Sequence, residues 1–425
     1  MSPRVLMVAY HYPPCTGSSG IQRALTFSRY LPECGWDPIV LSAHPRAYEA
    51  TSKDQMGDIP AGVPVHRAFA LDTKRHLSIG GRYPGFLAIP DRWATWALGA
   101  IPLGLRLVRR YRPAAIWTTY PIATAHRIGY WLRRRTGLPW IADFRDSMTE
   151  EGYPSDPRQF RAFRKIERLA MEHAARVVFT TRGAVRMYRE RYPSVPANRF
   201  VVLPNGYDEA PFVEAAQAFA TESGGAGGPL TLVHSGILYP SERDPRPFFD
   251  ALAELKRTGA VDAARLRIVL RATGHDATHR PEIERRGIAD LVKLEPQVPY
   301  REALREMLRA DGLLLLQASN CNHQVPAKVY EYFRARRPIL ALTDARGDTA
   351  AVLSDAGMDT IVPLDDAAAI ARGLEAFLGQ VRAGTAPLVP AGEVERHSRR
   401  GRTAELAAVL TAVSRPAQPK AVAAL

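Results

Sequence analysis

The segment Gln324-Val325-Pro326-Ala327-Lys328-Val329-Tyr330-Glu331-Tyr332-Phe333 carries the clearest chemical signal in the chain. Pro326 fits the first position of a helix, where its missing N–H costs nothing. Lys328 then falls in the first turn, where the helix dipole disfavours a cation. A lysine there makes sense if an anion sits at the helix start, with Val325, Pro326 and Ala327 forming part of its seat. Glu331 follows one turn on, on the same face. Lysine placed before glutamate at i,i+3 is the poorer orientation for a mutual ion pair. The two are therefore read as separate contacts to a ligand in preference to a surface pair.

Three further clusters sit where strand-like runs end. The first run is followed by Tyr10-His11-Tyr12-Pro13-Pro14-Cys15-Thr16-Gly17-Ser18-Ser19-Gly20. Small residues before a helix start make an anion-binding corner, or equally a tight turn with a serine cap. The spacing is neither G-x-G-x-x-G nor a Walker A loop. In Trp140-Ile141-Ala142-Asp143-Phe144-Arg145-Asp146, two carboxylates flank a guanidinium just past a buried strand. They read either as a ligand edge or as a local Arg–Asp bridge. His234-Ser235-Gly236-Ile237-Leu238-Tyr239-Pro240-Ser241-Glu242-Arg243 opens the second half of the chain. Gly236 allows a ligand close to the backbone, and Arg243 offers a reaching cation; a charged surface loop is the even alternative.

Short β-branched runs alternate with helical patterns throughout and must position these clusters. Strands are expected at Arg4–Ala9, Pro38–Ser42, Ala114–Thr118, Leu138–Ala142, Arg176–Thr180 and Phe200–Leu203, then at Leu230–His234, Leu266–Arg271, Leu291–Leu294, Gly312–Gln317, Pro338–Leu342 and Thr360–Val362. Such alternation predicts parallel sheets covered by helices on both faces. The glycine-rich stretch before Pro229 interrupts it. The division expected is a domain over 1–210, a linker over 211–229, a second domain over 230–390, and a helix with a flexible tail over 391–425. Ligands of such sheets bind outside the carboxyl ends of the strands, so the site is expected in a cleft between the two domains.

Charge is uneven along the chain. Residues 1–200 hold 30 Lys+Arg against 15 Asp+Glu, whereas the remainder holds 27 against 28. From Arg92 to Ala142 there are nine arginines and no acid. An anionic membrane surface fits this asymmetry, with Trp93–Leu105 leading into Arg106, Arg109 and Arg110 as a helix lying on lipid. That apolar stretch is too short to span a bilayer, which takes about 20 residues. No basic motif interleaved with aromatics supports a nucleic-acid partner. Three cysteines, none in a C-x-x-C pair, argue for a reduced, cytoplasmic protein without a cysteine metal site. Asp-x-Asp, G-x-S-x-G and H-E-x-x-H are all missing, so no metal is expected.

Taken together, HYPPCTGSSGIQRALTFSRYLPECGWDPIVLS, LPWIADFRDS and VPAKVYEYFRARRPIL resemble glycosyltransferase family 4. These are retaining enzymes of the GT-B fold, and the likeness runs over about residues 4–413, toward the branch that builds bacterial exopolysaccharides and lipopolysaccharides. It implies an α/β fold of two Rossmann-like doubly wound domains facing across a cleft, the first binding the acceptor and the second a nucleotide-sugar. Glu331 matches the second glutamate of the Glu–seven residues–Glu motif, which holds the ribose hydroxyls; His323 stands in place of the first. Arg243 and Lys328 match basic positions that face the donor diphosphate, and Gly17, Ser18, Ser19 and Gly20 match the loop that closes over it. Ile237 replaces an arginine often found after Gly236, and the first-domain histidine of many relatives is replaced near Arg145.

The likeness thus implies transfer of a sugar from a UDP- or GDP-linked donor, with no separate cofactor, to a glycan, lipid-linked or small-molecule acceptor. In the family's front-face mechanism the leaving phosphate itself takes the acceptor's proton. Arg243, Lys328 and Asp146 are the catalytic candidates; Asp143 and Arg145 join the substrate-binding set. The alternatives are a nucleotide-sugar epimerase of the same fold, which needs no acceptor, a glycosyltransferase of small secondary metabolites, and a nucleic-acid-binding protein.

Overall fold

A computed structural model describes residues 2–16, 20–53, 56–220 and 228–414. The chain divides into two compact units. The first takes residues 1–204 and 399–425, the second residues 205–398.

Seven strands form the first sheet: β1 Arg4–Val8, β2 Asp37–Ala43, β3 Val65–Ala68, β4 Ala115–Thr119, β5 Trp140–Arg145, β6 Arg176–Phe179 and β7 Phe200–Val202. They run parallel in the order β3-β2-β1-β4-β5-β6-β7. Both faces are covered, so the central strands are apolar throughout and not alternating; β4 is buried along its whole length. Edge strand β3 (Val-His-Arg-Ala) is half-polar and has no strand-like pattern in the sequence.

Leu6, Leu41, Ile116 and Trp140 belong to the core of one face, and Val5, Val40, Trp117 and Ile141 to the core of the other. This second face is completed from the far end of the chain. The helix Arg399–Ser414 lies against the helix Gly20–Tyr30, with Leu406 and Leu410 in the same core as Phe27. Trp36 Nε1 donates to Thr411 Oγ1 at 3.2 Å. Each buried leucine contributes about 1.5–3 kcal/mol, so this terminal helix is structural.

The second sheet has six strands: β8 Leu230–Ser235, β9 Leu266–Arg271, β10 Val292–Glu295, β11 Gly312–Gln317, β12 Ile339–Thr343 and β13 Ile361–Val362. They are parallel, in the order β10-β9-β8-β11-β12-β13. Each sheet therefore reverses its strand order once, between β1 and β4 and between β8 and β11. Ligands of doubly wound sheets lie outside the carboxyl ends at that point.

Two expected boundaries move. The break lies between Pro204 and Asn205. The stretch read as a linker over 211–229 begins as the helix Glu209–Ala220, which packs on the helix Tyr300–Arg309 within the second unit. Pro211 sits in its first turn, a position that tolerates proline. The C-terminal segment 391–425 is likewise not one piece: the helix Ala391–Arg396 belongs to the second unit and Arg399–Ser414 to the first. The tail from residue 415 lies outside the described residues.

Candidate functional site

At the strand reversal of the second sheet, β8 ends in His234 and Ser235, and Gly236 follows. His234 is fully buried. Its Nδ1 lies 3.0 Å from the Leu314 carbonyl of β11 and donates to it, which leaves Nε2 as an acceptor. Lys328 Nζ donates to it at 3.0 Å. Burial, and next the Lys328 charge, holds the imidazole well below the ordinary histidine range, so it stays neutral.

Lys328 opens the helix Lys328–Ala335, with Ala327 as its cap residue. The helix thus starts two residues later than the proline suggested, and Lys328 is its first residue. Val325 and Pro326 are buried, and the Pro326 and Ala327 carbonyls accept from Val329 and Tyr330 N–H at 3.0 and 3.2 Å. Burial foremost, then the Arg243 guanidinium, pushes the Lys328 ammonium well below the usual lysine range; Glu331 acts the other way. Gly236 has φ 120°, and a Cβ there would stand 2.9 Å from Lys328 Nζ. Only glycine satisfies both the backbone and the ammonium.

Arg243 lies back over its own loop. Its Nη1 donates to the Ile237 carbonyl at 2.9 Å, its Nε approaches Gln317 Oε1 at 3.4 Å, and its guanidinium covers the Tyr239 ring at 5.5 Å. Among the described residues neither Lys328 nor Arg243 has a carboxylate partner. Two neighbouring cations without a carboxylate in contact, at the carboxyl end of a parallel sheet, make a candidate anion site. Glu331, one turn from Lys328, accepts from Tyr300 Oη at 2.8 Å. His323 is half-buried in the loop ahead of the helix.

The first unit's candidates separate. Asp143 is fully buried and belongs to Arg23, not to Arg145: Arg23 Nε and Nη2 reach its two oxygens at 2.7 and 3.2 Å. The same guanidinium donates to the Leu203 and Pro204 carbonyls at 3.0 and 3.1 Å. This fork ties the first helix to β5 and the end of β7, so the local Arg–Asp bridge is not formed. Asp146 is exposed, just beyond β5. Arg145 is buried, with its Nη1 3.5 Å from the Tyr120 carbonyl. Gly20 starts the first helix and is buried. Gly17, Ser18 and Ser19 lie outside the described residues.

Sequence reading gave no role to His234 or Arg23, whose partners lie 94 and 120 residues away. Among the described residues, no three His, Cys, Asp or Glu gather as metal ligands, and no helix is long and apolar enough to cross a membrane.

Residues 20–206 match the family model of the glycosyl transferase 4-like domain. Over those residues the first unit is similar to that family. Solved structures align along nearly the whole chain and show that the fold is GT-B. Sucrose-phosphate synthase from Thermosynechococcus elongatus is 13% identical at a TM-score of 0.66, covering 97% of this chain and 99% of its own. Anabaena HepE, solved with UDP-glucose, is 13% identical at 0.65, covering 96% and 99%. WaaG, a glycosyltransferase involved in lipopolysaccharide biosynthesis, is 14% identical at 0.61, covering 96% and 99%. No curated protein matches the chain by sequence.

Proposed function

We propose that the chain is a retaining glycosyltransferase. It moves a sugar from a UDP- or GDP-linked donor to an acceptor hydroxyl, without a metal, in the building of cell-surface polysaccharide or a related glycoconjugate. The observation that carries this reading is the pair of cations without a carboxylate in contact, Lys328 and Arg243, beside Gly236 at the strand reversal of the second sheet. The GT-B relatives add support: HepE was solved with UDP-glucose, and WaaG acts in lipopolysaccharide biosynthesis.

The chemical problem is negative charge growing on the leaving diphosphate as its bond to the sugar's anomeric carbon breaks. Fixed cations answer it without reorganisation. Lys328 is held by His234, and Arg243 by its own loop. Glu331 takes the ribose hydroxyls in exchange for Tyr300. The acceptor oxygen bonds to the anomeric carbon on the face the phosphate leaves, and its proton passes to the departing phosphate oxygen. No enzyme nucleophile takes part. Asp146, exposed past β5, orients the acceptor hydroxyl.

The test is product formation from UDP- and GDP-sugars, with and without acceptor and with EDTA. Transfer is expected only with acceptor, with the donor's anomeric configuration kept and no loss in EDTA. Sugar conversion with donor alone establishes an epimerase instead. Arg243→Ala is expected to lower turnover by roughly 10²–10³. Glu331→Ala is expected chiefly to raise the donor KM, because ribose contacts change little on the way to the transition state.

A further inference from the structure

Beside the strand reversal of the first sheet, at the end of β5, lies a third cation without a carboxylate in contact. Arg145 ends β5 at a register slip, with φ 59°, in the left-handed region that residues with a Cβ avoid. Its own backbone is fixed there: its carbonyl accepts from Thr180 N–H at 3.2 Å and from Thr180 Oγ1 at 2.8 Å. The side chain is only 7% exposed. Its Nε has no hydrogen-bond partner, and the Nη1 contact with Tyr120 O, at 3.5 Å, is at the outer limit for a hydrogen bond.

Among the described residues no carboxylate touches Arg145. Asp143, two residues back, is spent on Arg23. Asp146 and Asp143 attract the guanidinium without touching it, while Arg23 and Arg399 repel it. His11, at the end of β1, is kept neutral by burial and by Arg145 itself, its pKa pulled down to about 4. A buried guanidinium persists at such a cost only where something repays it, and a strained backbone at a strand end is a mark of function. The planar fork matches a phosphate or a carboxylate.

We infer that the acceptor carries an oxyanion, seated on Arg145 beside the reversal between β1 and β4. The inference rests on the glycosyltransferase reading for the word acceptor, and on the first unit alone for the site.

The test uses full-length chain bearing Lys328→Ala and Arg243→Ala, which removes the second unit's anion site. Inorganic phosphate, glucose 6-phosphate, glucuronate and glucose are titrated into it by calorimetry. Binding is expected for phosphate and for at least one of the two anionic sugars, with none for glucose; which sugar binds tells a phosphate acceptor from a carboxylate one. Adding Arg145→Lys is expected to weaken binding at least 10-fold. Adding Arg145→Asn, which tolerates the left-handed backbone, is expected to abolish it without lowering Tm.

The inference is overturned if no anion binds, if the Arg145 variants bind unchanged, or if Arg145→Asn lowers Tm as a purely structural arginine would. Failure of UDP and GDP to bind the unmodified chain overturns the donor reading separately and leaves these titrations to be read on their own.

Discussion

Lys328 Nζ stands 3.0 Å from Nε2 of His234, a buried imidazole whose other nitrogen is committed to the Leu314 carbonyl. The lysine is thus aimed by a neutral group that brings no countercharge of its own. His234→Leu removes the aim without touching substrate. Misplacing a charge by about 1 Å costs up to roughly 10²-fold. Turnover per folded molecule is expected to fall about 10- to 100-fold, with donor KM changed less. A loss of soluble protein with turnover intact would make His234 a packing residue only.

Protonation of Lys328 couples to ligand. Its folded pKa is depressed by burial and Arg243, while the unfolded value is about 10.4. Between the two, the folded state binds fewer protons than the unfolded one, so this lysine makes stability rise with pH across that window. A bound diphosphate raises the pKa again. Nucleotide binding is therefore expected to take up a proton in the same window, and affinity to fall as pH rises through it. Calorimetry in buffers of different ionisation enthalpy reads the uptake, and Lys328→Met should remove it. Equal uptake in the variant would place the titrating group elsewhere.

Asp143 holds structure. Breaking its buried pair with Arg23 leaves one charge unmatched, a loss of about 3–5 kcal/mol. Asp143→Ala is expected to destabilise the chain on that scale in urea unfolding, and joint Arg23→Met, Asp143→Leu to recover most of it. A stable Asp143→Ala chain that has lost acceptor affinity would return the carboxylate to the binding site.

The membrane reading loses most of its apolar face. In the helix Trp96–Tyr111, Trp96, Ala97, Ala100, Gly104 and Leu107 are buried, and Ile101, Leu103, Leu105 and Val108 pack on the same core. Leu98, Arg106, Arg109 and Arg110 remain outside. Attachment through this helix would then be mainly electrostatic, each basic residue near the surface adding about 1 kcal/mol. Binding to vesicles of anionic lipid should vanish at high salt and be negligible on neutral vesicles. Salt-independent binding, or none, would count against attachment.

The central strands and the Lys328–Glu331 helix were legible because burial on both faces and an ill-placed lysine leave local marks. Strand β3 was not, being a short half-polar edge. Nor was the helix Glu209–Ala220, obscured by Pro211 in its first turn and by the glycine-rich stretch that follows it in the sequence. The pairs Arg23–Asp143 and His234–Lys328 join residues far apart in the chain, and no spacing rule reaches that far. Arg145 was visible as a charge; its isolation emerged only once Asp143 was seen to be taken.

The proposed donor site sets Lys328 against a nucleoside diphosphate. The most direct measurement is calorimetric titration of UDP and GDP into the chain and into Lys328→Ala, both folded by circular dichroism. One diphosphate should bind the unmodified chain, at least 10-fold more tightly than its monophosphate, and the variant should lose most of that margin. Binding of neither nucleotide, or equal binding to the variant, would contradict the placement of the donor at Lys328.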